Sequence, residues 1–342
     1  MRNNREREQW IDYIKIFACI FVVLGHLFQS MVRAKLLGDT GLYRWFDKTV
    51  YCFHVQLFFI CSGYVYSRYK SVTTLSTWKD NVLRKLWELG IPYFTFTLAT
   101  WLLKYAFSSE VNVKNNGLLE TLFVSPASPY WFLYVLFVFF LLVPTLKGRR
   151  LHVLFTASVI LECITFDMTA HDIWYKLFAN LFWFASGMLL GTCELRPFSG
   201  SRKLLLCGFA GFFVFLLSSV IIYITIGFEP VLEFFLGFTA CGSVMLVFLA
   251  AFGKRSSRLL NRISGYTMPV FLMHTLCASV ARTVLIKVGI RNGLIHVLCG
   301  LVVSFLGPVI ITEILQRIWK LDFIIYPARY YPWRNRRKDS VK

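Results

Sequence analysis

Apolar stretches long enough to cross a lipid bilayer recur along almost the whole 342-residue chain. A membrane-spanning helix needs about 20 predominantly apolar residues. Windows of this kind lie near residues 11–31, 48–66, 84–107, 130–146, 150–166, 173–193, 203–226, 230–252, 266–288 and 294–314. We therefore predict an all-α fold, a polytopic transmembrane bundle of about ten helices that forms a single domain over residues 1–342.

The composition supports a membrane protein and excludes two other classes. Hydrophobic residues make up 57% of the chain, charged residues make up 16%, and the mean hydropathy is +0.59. Soluble domains carry roughly 25% charged residues. Disordered chains are poor in aromatic residues, whereas this chain has 34 Phe, 16 Tyr and 10 Trp. The lipid bilayer is therefore the expected environment.

The distribution of positive charge predicts how the chain is oriented in the membrane. The net charge is +19, but the Lys and Arg residues fall mainly between apolar runs, so no binding to nucleic acid is expected. Short cytoplasmic loops are enriched in Lys and Arg. Basic segments occupy alternate connections and both termini: Arg2, Arg5 and Arg7; Arg68, Lys70, Lys79, Arg84 and Lys85; Lys147, Arg149 and Arg150; Arg196, Arg202 and Lys203; Lys254, Arg255, Arg258 and Arg262; and Arg334, Arg336, Arg337 and Lys338. Both termini, including a basic tail over residues 318–342, are predicted to be cytoplasmic.

Two connections on the opposite side break this charge pattern. The loop from Arg33 to Lys48 carries four positive charges, and Lys287 and Arg291 flank the last turn on that side. These charges either have a function or indicate an error in the number of spans.

Neither a metal centre nor a repeat-based transporter is favoured by the sequence. The nine cysteines lie mostly inside apolar runs and include no CxxC pair, so no metal is predicted. No unit of helix, loop and helix recurs, and no matching pair of interrupted helices is visible. Inverted-repeat transporters are typically built from such units.

The first span carries three ionisable residues, Asp12, Lys15 and His26. Such groups cost roughly 2.5–3.5 kcal/mol inside a membrane and usually pair or line a cavity. Eleven residues separate Lys15 from His26, which places both on one helix face about 16 Å apart. Asp12 can pair with Lys15. With a cytoplasmic amino terminus, Lys15 lies near the inner face and His26 lies beyond the midplane. The alternative is that Asp12 and Lys15 are interfacial anchors and His26 is a hydrogen-bonded interior histidine.

The second span offers a further histidine and a pair of small residues. His54 enters from the outer side, near the level of His26, so the two histidines could share a polar pocket. Ser62 and Gly63 are more typical of close helix packing than of a catalytic role.

Several segments resemble one protein family in the right order along the chain. IDYIKIFACIFVVLGH at 11–26 and FHVQLFFICSGY at 53–64 are similar to the first two helices of acyltransferase family 3. Weaker similarities follow: IPYF at 91–94, YWFLYVLF at 130–137 and MPVFLMH at 268–274. The resemblance implies acyl transfer, commonly of acetyl from acetyl-CoA to hydroxyls of surface or secreted glycans, in a bacterial cytoplasmic membrane. The family's essential histidine corresponds to His26.

Two departures from the family pattern affect the expected donor site. The basic residue before the motif histidine is usually Arg, whereas here it is Lys15, which lacks a planar bidentate fork. The family's paired arginines before the third-helix proline are replaced by Lys85 and Glu88 nearest Pro92. Arg84 and Lys85 either substitute for that pair or are positive-inside charges.

Acyl transfer assigns a role to each part of this pattern. A sugar hydroxyl that attacks a thioester needs a proton acceptor, and His26 supplies one. The alternative is that His26 carries the acyl group covalently. Lys15, Arg84, Lys85 and the 254–262 loop are candidates to hold the phosphates of coenzyme A.

Three weaker candidates complete the site. His274, in the inner half of its span, lines the donor channel or is simply packed; Glu233 orients an imidazole or binds sugar; Trp131 stacks on sugar or, preferably, belongs to the interfacial aromatic belt.

Two functions from other classes remain as alternatives. A transporter or flippase of a glycan or lipid-linked sugar would also line its path with buried ionisable residues. A membrane scaffold or sensor would keep its function after loss of His26.

Overall fold

The fold is an all-helical bundle, as predicted. The computed structural model describes residues 8–106, 117–168, 173–318 and 320–331. Within these ranges the α-helices are α1 Gln9–Arg33, α2 Gly41–Tyr51, α3 His54–Tyr69, α4 Leu75–Lys85, α5 Ile91–Ala106, α6 Trp131–Leu142, α7 Arg149–Thr165, α8 Ile173–Thr192, α9 Arg202–Thr225, α10 Pro230–Phe252, α11 Arg258–Ser264, α12 Thr267–Lys287 and α13 Gly293–Arg317. Shorter helical turns occur at Leu86–Gly90, Glu120–Val124, Arg196–Phe198, Leu321–Ile324 and Pro327–Tyr330.

Most of the predicted spans correspond to helices that can cross a bilayer by themselves. In the described part of the chain, seven helical segments are long and apolar enough: Gln9–Arg33, Gly41–Tyr69, Ile173–Thr192, Arg202–Thr225, Pro230–Phe252, Thr267–Lys287 and Gly293–Arg317. The predicted spans at 84–107, 130–146 and 150–166 contain the shorter helices α5, α6 and α7. With 12 residues, α6 is about 18 Å long, which is less than the roughly 30 Å hydrocarbon core. The chain is a multi-pass membrane protein.

Charged residues from three segments of the chain pair at one end of the bundle. We call the end at which α1 begins the proximal end and the end at which α1 finishes the distal end. Glu8 at the proximal end pairs with Arg68 at the end of α3, and Arg68 also pairs with Glu194, which follows α8. The basic connections identified in the sequence thus meet at one end.

The first helix, α1, lies at the centre of the bundle. It packs against α2, α3, α10, α11, α12 and α13. Apolar side chains on several sides of it are buried, and their burial stabilises a helix that is enclosed by protein rather than by lipid. Trp10 meets the ring of Tyr64 at 5.5 Å between centroids, and the Tyr13 hydroxyl donates to Asn261 over 2.7 Å. The polar residues of α1 are therefore held against other helices.

Small residues bring α3 and α8 unusually close. A Cβ atom on Gly63 would lie 2.0 Å from the carbonyl oxygen of Phe184, and one on Gly187 would lie 2.1 Å from that of Ile60. Only glycine permits this contact between backbones. The structure thus confirms that Gly63 is a packing residue, and Ser62 beside it is half-buried on α3.

The predicted second span is interrupted, and part of the predicted loop before it is helical. Helix α2 begins at Gly41, after Thr40 accepts a hydrogen bond from the backbone N–H of Tyr43 over 3.2 Å. The helix stops at Tyr51, and α3 starts at His54. The expectation of a continuous helix over 48–66 and of a loop up to Lys48 was wrong, because the Thr40 cap starts a helix that the hydropathy of the charged segment conceals.

The described part of the predicted basic tail folds back onto the proximal end. The buried carboxylate of Asp322 accepts a hydrogen bond from Arg329 over 2.8 Å and another from the Tyr330 hydroxyl. The Tyr326 hydroxyl donates to the carbonyl oxygen of Gly265 over 2.7 Å. Residues outside the described ranges include the predicted basic residues Arg2, Arg5, Arg7, Arg334, Arg336, Arg337 and Lys338.

Candidate active site

His26 lies on the polar face of α1 and faces the interior of the bundle. Lys15, on the same helix, contacts Asp12 at 3.4 Å, as the spacing predicts. His26 is half-buried, and neither of its ring nitrogens hydrogen-bonds to any described residue. A purely structural interior histidine is normally hydrogen-bonded. His26 is therefore available to a substrate.

His274 lies directly beside His26. The centroids of the two imidazole rings are 5.4 Å apart, and the ring planes are inclined by 35°. The thiol of Cys19 contacts the carbonyl oxygen of Thr267 at 3.7 Å, which fixes the register of α1 against α12. Each histidine follows its contact residue by seven positions, or about 10 Å of helix. The two rings therefore occupy the same level of the membrane.

This placement corrects the expected depth of His274. The sequence placed it in the inner half of its span, away from His26. Helix α12 begins deep in the bundle, already beside Cys19, because the short helix α11 (Arg258–Ser264) and Gly265 occupy the proximal end before it. Counting residues from the basic loop therefore underestimates how far His274 lies from that end.

The protonation of the His274 ring is set by its neighbours. Its Nδ1 atom lies 2.9 Å from the carbonyl oxygens of both Val270 and Phe271. Carbonyl oxygens only accept hydrogen bonds, so Nδ1 carries the proton and Nε2 is left with its lone pair. The side chain is 1% exposed, and Nε2 bonds to nothing in the described chain. It can accept a hydrogen bond from a substrate hydroxyl.

Tyr51 connects His26 with the second predicted histidine. The Tyr51 ring centroid is 6.3 Å from that of His26 and 4.6 Å from that of His54, and it is nearly perpendicular to both. His54 Nδ1 lies 2.7 Å from the Val50 carbonyl oxygen. The interruption between α2 and α3 thus brings Tyr51 and His54 to the level of the other two imidazoles.

A small cavity with both polar and apolar lining residues opens beside His26 and His274. Its volume is about 30 Å³, enough for about two water molecules. It is lined by Val23, His26, Leu27, Ser30, His274, Thr275, Ala278, Ser279 and Ser304. The Ser304 hydroxyl, like His274 Nε2, has no hydrogen-bond partner in the described residues. Unpaired buried polar atoms are costly, so their presence favours a polar ligand.

The predicted donor-binding cations lie at the proximal end of the bundle. Lys85 Nζ contacts Glu88 Oε2 at 2.6 Å, and Arg84 Nε lies 3.6 Å from Glu88 Oε1. Lys15 and Lys85 are close enough for their like charges to repel. The loop at 254–262 reaches the same end, where the backbone N–H of Ser257 donates to the Tyr13 hydroxyl over 2.9 Å. The Glu88 carboxylate thus balances part of a positively charged cluster.

Three predicted site residues lie away from this cavity. Ser62 is on the face of α3 next to the contact with α8. Trp131 packs against Phe59 at 6.4 Å between centroids, and Lys176 Nζ lies 5.5 Å from its ring. Glu233 pairs with Lys48 at 3.1 Å near the distal surface, where it contacts none of the clustered imidazoles.

Several polar residues at the cavity escaped the sequence analysis, as did Arg282 beside it. Ser30 follows His26 by one helical turn and lines the cavity. Its hydroxyl accepts a hydrogen bond from the guanidinium of Arg282 on α12. The signal was present, because Arg282 is an ionisable residue inside the predicted span 266–288. No group of three or more His, Cys, Asp and Glu side chains suited to a metal ion occurs within the described ranges.

Comparison with known proteins agrees with the resemblance found in the sequence. A family model described as an acyltransferase domain matches residues 8–313, which is most of the chain. The chain belongs to acyltransferase family 3. The matched segment of this family member includes all three imidazoles of the cluster.

One curated relative is similar to part of the chain. The nodulation protein NolL of Mesorhizobium japonicum is 26% identical over 144 residues, which cover 42% of this chain and 36% of NolL. The alignment therefore spans about a third of that relative's length. No solved structure matches the chain.

Proposed function

We propose that this membrane acyltransferase moves a short acyl group, in the first instance acetyl, from its coenzyme A thioester to a hydroxyl of a cell-envelope or exported glycan. The observation that carries the proposal is the cavity between His26 and His274, which combines the His26 imidazole and the unpaired Nε2 of His274 with serine hydroxyls in the interior of a membrane protein.

In this reaction His26 acts at the reacting centre. The acceptor hydroxyl oxygen attacks the thioester carbonyl carbon, and His26 removes the hydroxyl proton as the new C–O bond forms. The C–S bond then breaks, and the proton passes from His26 to the departing thiolate. His274 Nε2 accepts a hydrogen bond from a neighbouring hydroxyl of the acceptor sugar and so orients the sugar. The proton of the acceptor hydroxyl thus leaves on the thiol of coenzyme A, and His26 returns to its neutral form.

The distance between the basic residues and the imidazoles supports separate positions for donor binding and for acyl transfer. Lys15 and His26 are about 16 Å apart along α1. The basic connections gather at the proximal end, so the positive-inside rule favours a cytoplasmic location for this end and for both termini in a bacterial cytoplasmic membrane. Coenzyme A then binds from the cytoplasm through Lys15, Arg84 and Lys85, and its thioester extends toward His26.

The experiment that tests this function is transfer of labelled acetyl from acetyl-CoA to membrane glycan in vesicles. Wild type, His26→Ala and His152→Ala are compared at equal expression, since His152 is an exposed histidine far along the chain and serves as the matched control. We expect transfer by wild type and His152→Ala, and a loss of roughly 10²-fold or more in His26→Ala. Equal transfer by all three proteins would show that His26 does not act at the reacting centre. No transfer by any of them, over a range of acceptors, would favour the transporter alternative.

A second measurement distinguishes general-base catalysis from a covalent route. Incubation with labelled acetyl-CoA and no acceptor labels the protein only if His26 becomes acylated. We expect no label on wild type after an acidic or a neutral quench. Label that His26→Ala lacks would establish an acyl-histidine intermediate instead.

A further inference from the structure

Positive charge gathers at the distal end of the bundle, where the positive-inside rule disfavours it. The residues concerned are Arg33, Lys35, Arg44, Lys48, Lys104, Arg282, Lys287 and Arg291. The proposed orientation and catalytic role leave these charges unexplained.

Arg44 and Lys48, two of these cations, form ion pairs with carboxylates. Arg44 makes two hydrogen bonds of 2.9 Å to the carboxylate of Asp39, and these bonds hold the pKa of Asp39 below its usual value. Lys48 Nζ lies 3.1 Å from Glu233 Oε1. Both pairs lie near the surface and belong to no cavity, so they give no reason to expect a ligand.

Arg282 has a different environment. It is half-buried on α12, and its guanidinium contacts the hydroxyl of Ser30 and lies 3.5 Å from the Ser30 carbonyl oxygen. It makes no ion pair with a carboxylate in the part of the chain that the structure describes. A guanidinium has five N–H donors, and an arginine inside a membrane normally pairs or marks a ligand path.

Further positive charge lies near the end of α1. Lys104 on α5 is half-buried and close enough to Arg33 for their like charges to repel. The acid facing Arg33 is Asp47, whose carboxylate also accepts a hydrogen bond of 2.9 Å from Gln29. Among described residues Lys104 contacts no carboxylate. The charges of Lys104 and Arg33 add to the positive potential at this end of the bundle, which favours a bound anion.

The position of Arg282 relates these charges to the cavity. Ser30 and Ser279 line the cavity, and Arg282 follows Ser279 by three residues on the same helix. Ser30 itself lies one helical turn, about 6 Å, beyond His26. Arg282 thus stands at the distal edge of the reaction cavity. The phosphates of coenzyme A have their own cationic cluster at the other end, around Lys85.

We propose that Arg282, assisted by Arg33 and Lys104, binds an anionic group of the acceptor, so that the acceptor is an acidic glycan whose carboxylate or phosphate lies one to two turns distal to the hydroxyl that receives the acyl group. This inference rests on the proposed function and names its acceptor class. A guanidinium is well suited to a carboxylate or phosphate because it bonds both in a bidentate manner.

Binding without acyl donor provides the first test. Purified protein in detergent is titrated with two pairs of probes: a short oligogalacturonate and its carboxyl-reduced form, and a polyprenyl-phosphate-linked sugar and the same sugar on uncharged polyprenol. The variants are Arg282→Gln, which keeps hydrogen-bonding capacity without charge, Arg282→Lys, which keeps charge, and Arg291→Gln, an exposed control at the same end.

We expect wild type and Arg291→Gln to bind the acidic member of at least one pair roughly tenfold or more tightly than its neutral partner. The preference disappears in Arg282→Gln and returns in part in Arg282→Lys. The pair of probes for which wild type prefers the acidic member identifies the source of the anion as a uronate or a lipid-linked phosphate. Equal binding of both members of both pairs by wild type, or a preference that survives in Arg282→Gln, would overturn the inference.

Acetyl transfer provides the second test and separates the two proposals. In the transfer assay we expect Arg282→Gln to raise KM for the acidic acceptor and to leave KM for the neutral one unchanged. A merely structural contact between Arg282 and Ser30 would instead lower transfer to both alike, which refutes the inference. If wild type transfers to no acceptor but retains charge-dependent binding, the proposed function fails and the anion site stands.

Discussion

Substitution of Gly63 by Ala tests the packing on which the whole arrangement depends. The added Cβ would lie 2.0 Å from the Phe184 carbonyl oxygen and 3.0 Å from the Met188 nitrogen. Both are backbone atoms, so no side-chain rotation relieves the contact, and α3 and α8 must separate by about 1.4 Å to restore an ordinary contact. Overpacking costs roughly 1–3 kcal/mol, and a clash between backbones belongs at the upper end.

The assay is thermal unfolding of purified protein in detergent. For a chain of 342 residues 1 kcal/mol shifts Tm by about 1.4 °C, so we expect Gly63→Ala to lower the apparent Tm by about 4 °C. Gly242→Ala on α10 is the matched control, because a Cβ there meets nothing within 4 Å. The reasoning is refuted if Gly63→Ala has the same apparent Tm as wild type, or if both variants lower the apparent Tm equally.

Other substitutions test the site. His274→Gln should lower acetyl transfer roughly tenfold to a hundredfold with little change in apparent Tm, because the ring orients substrate; an unchanged rate would exclude it from the cavity chemistry. Lys15→Gln and Lys85→Gln should each raise KM for acetyl-CoA, by a factor that shrinks with added salt as screening weakens the phosphate contacts; an effect on kcat alone would contradict donor binding. Glu233→Gln should leave transfer unchanged and alter stability by less than about 1 kcal/mol, since its pair with Lys48 is largely exposed; a large loss of transfer would place Glu233 in the site.

The membrane fold was predictable because hydropathy and helix length carry most of the signal. The pairing of Asp12 with Lys15 followed from helical spacing, and the role of Gly63 followed from the known use of small residues between helices. These inferences concern neighbours in sequence or general packing rules. They need no knowledge of how the helices are arranged.

Depth and long-range contacts were not predictable in the same way. His274 joined His26 only because α12 begins beside Cys19, and this offset depends on where α11 packs. The interruption at Cys52 and Phe53 was hidden within an apolar run. Arg282 was visible as a charge, but its significance came from contact with Ser30 on a distant helix. A sequence pattern shows which residues share one face of a helix, but it does not show which other helix that face contacts.

The central position of α1 has a consequence for biosynthesis. The contact between Cys19 and Thr267 joins residues 248 positions apart. At about 5–20 residues per second, the ribosome needs roughly 12–50 s to supply the second partner. Asp12 and Lys15 can satisfy each other as soon as the first helix leaves the translocon, because they are one turn apart. His26, by contrast, gains its ring contact with His274 only after that interval, so the reaction cavity is assembled late in synthesis.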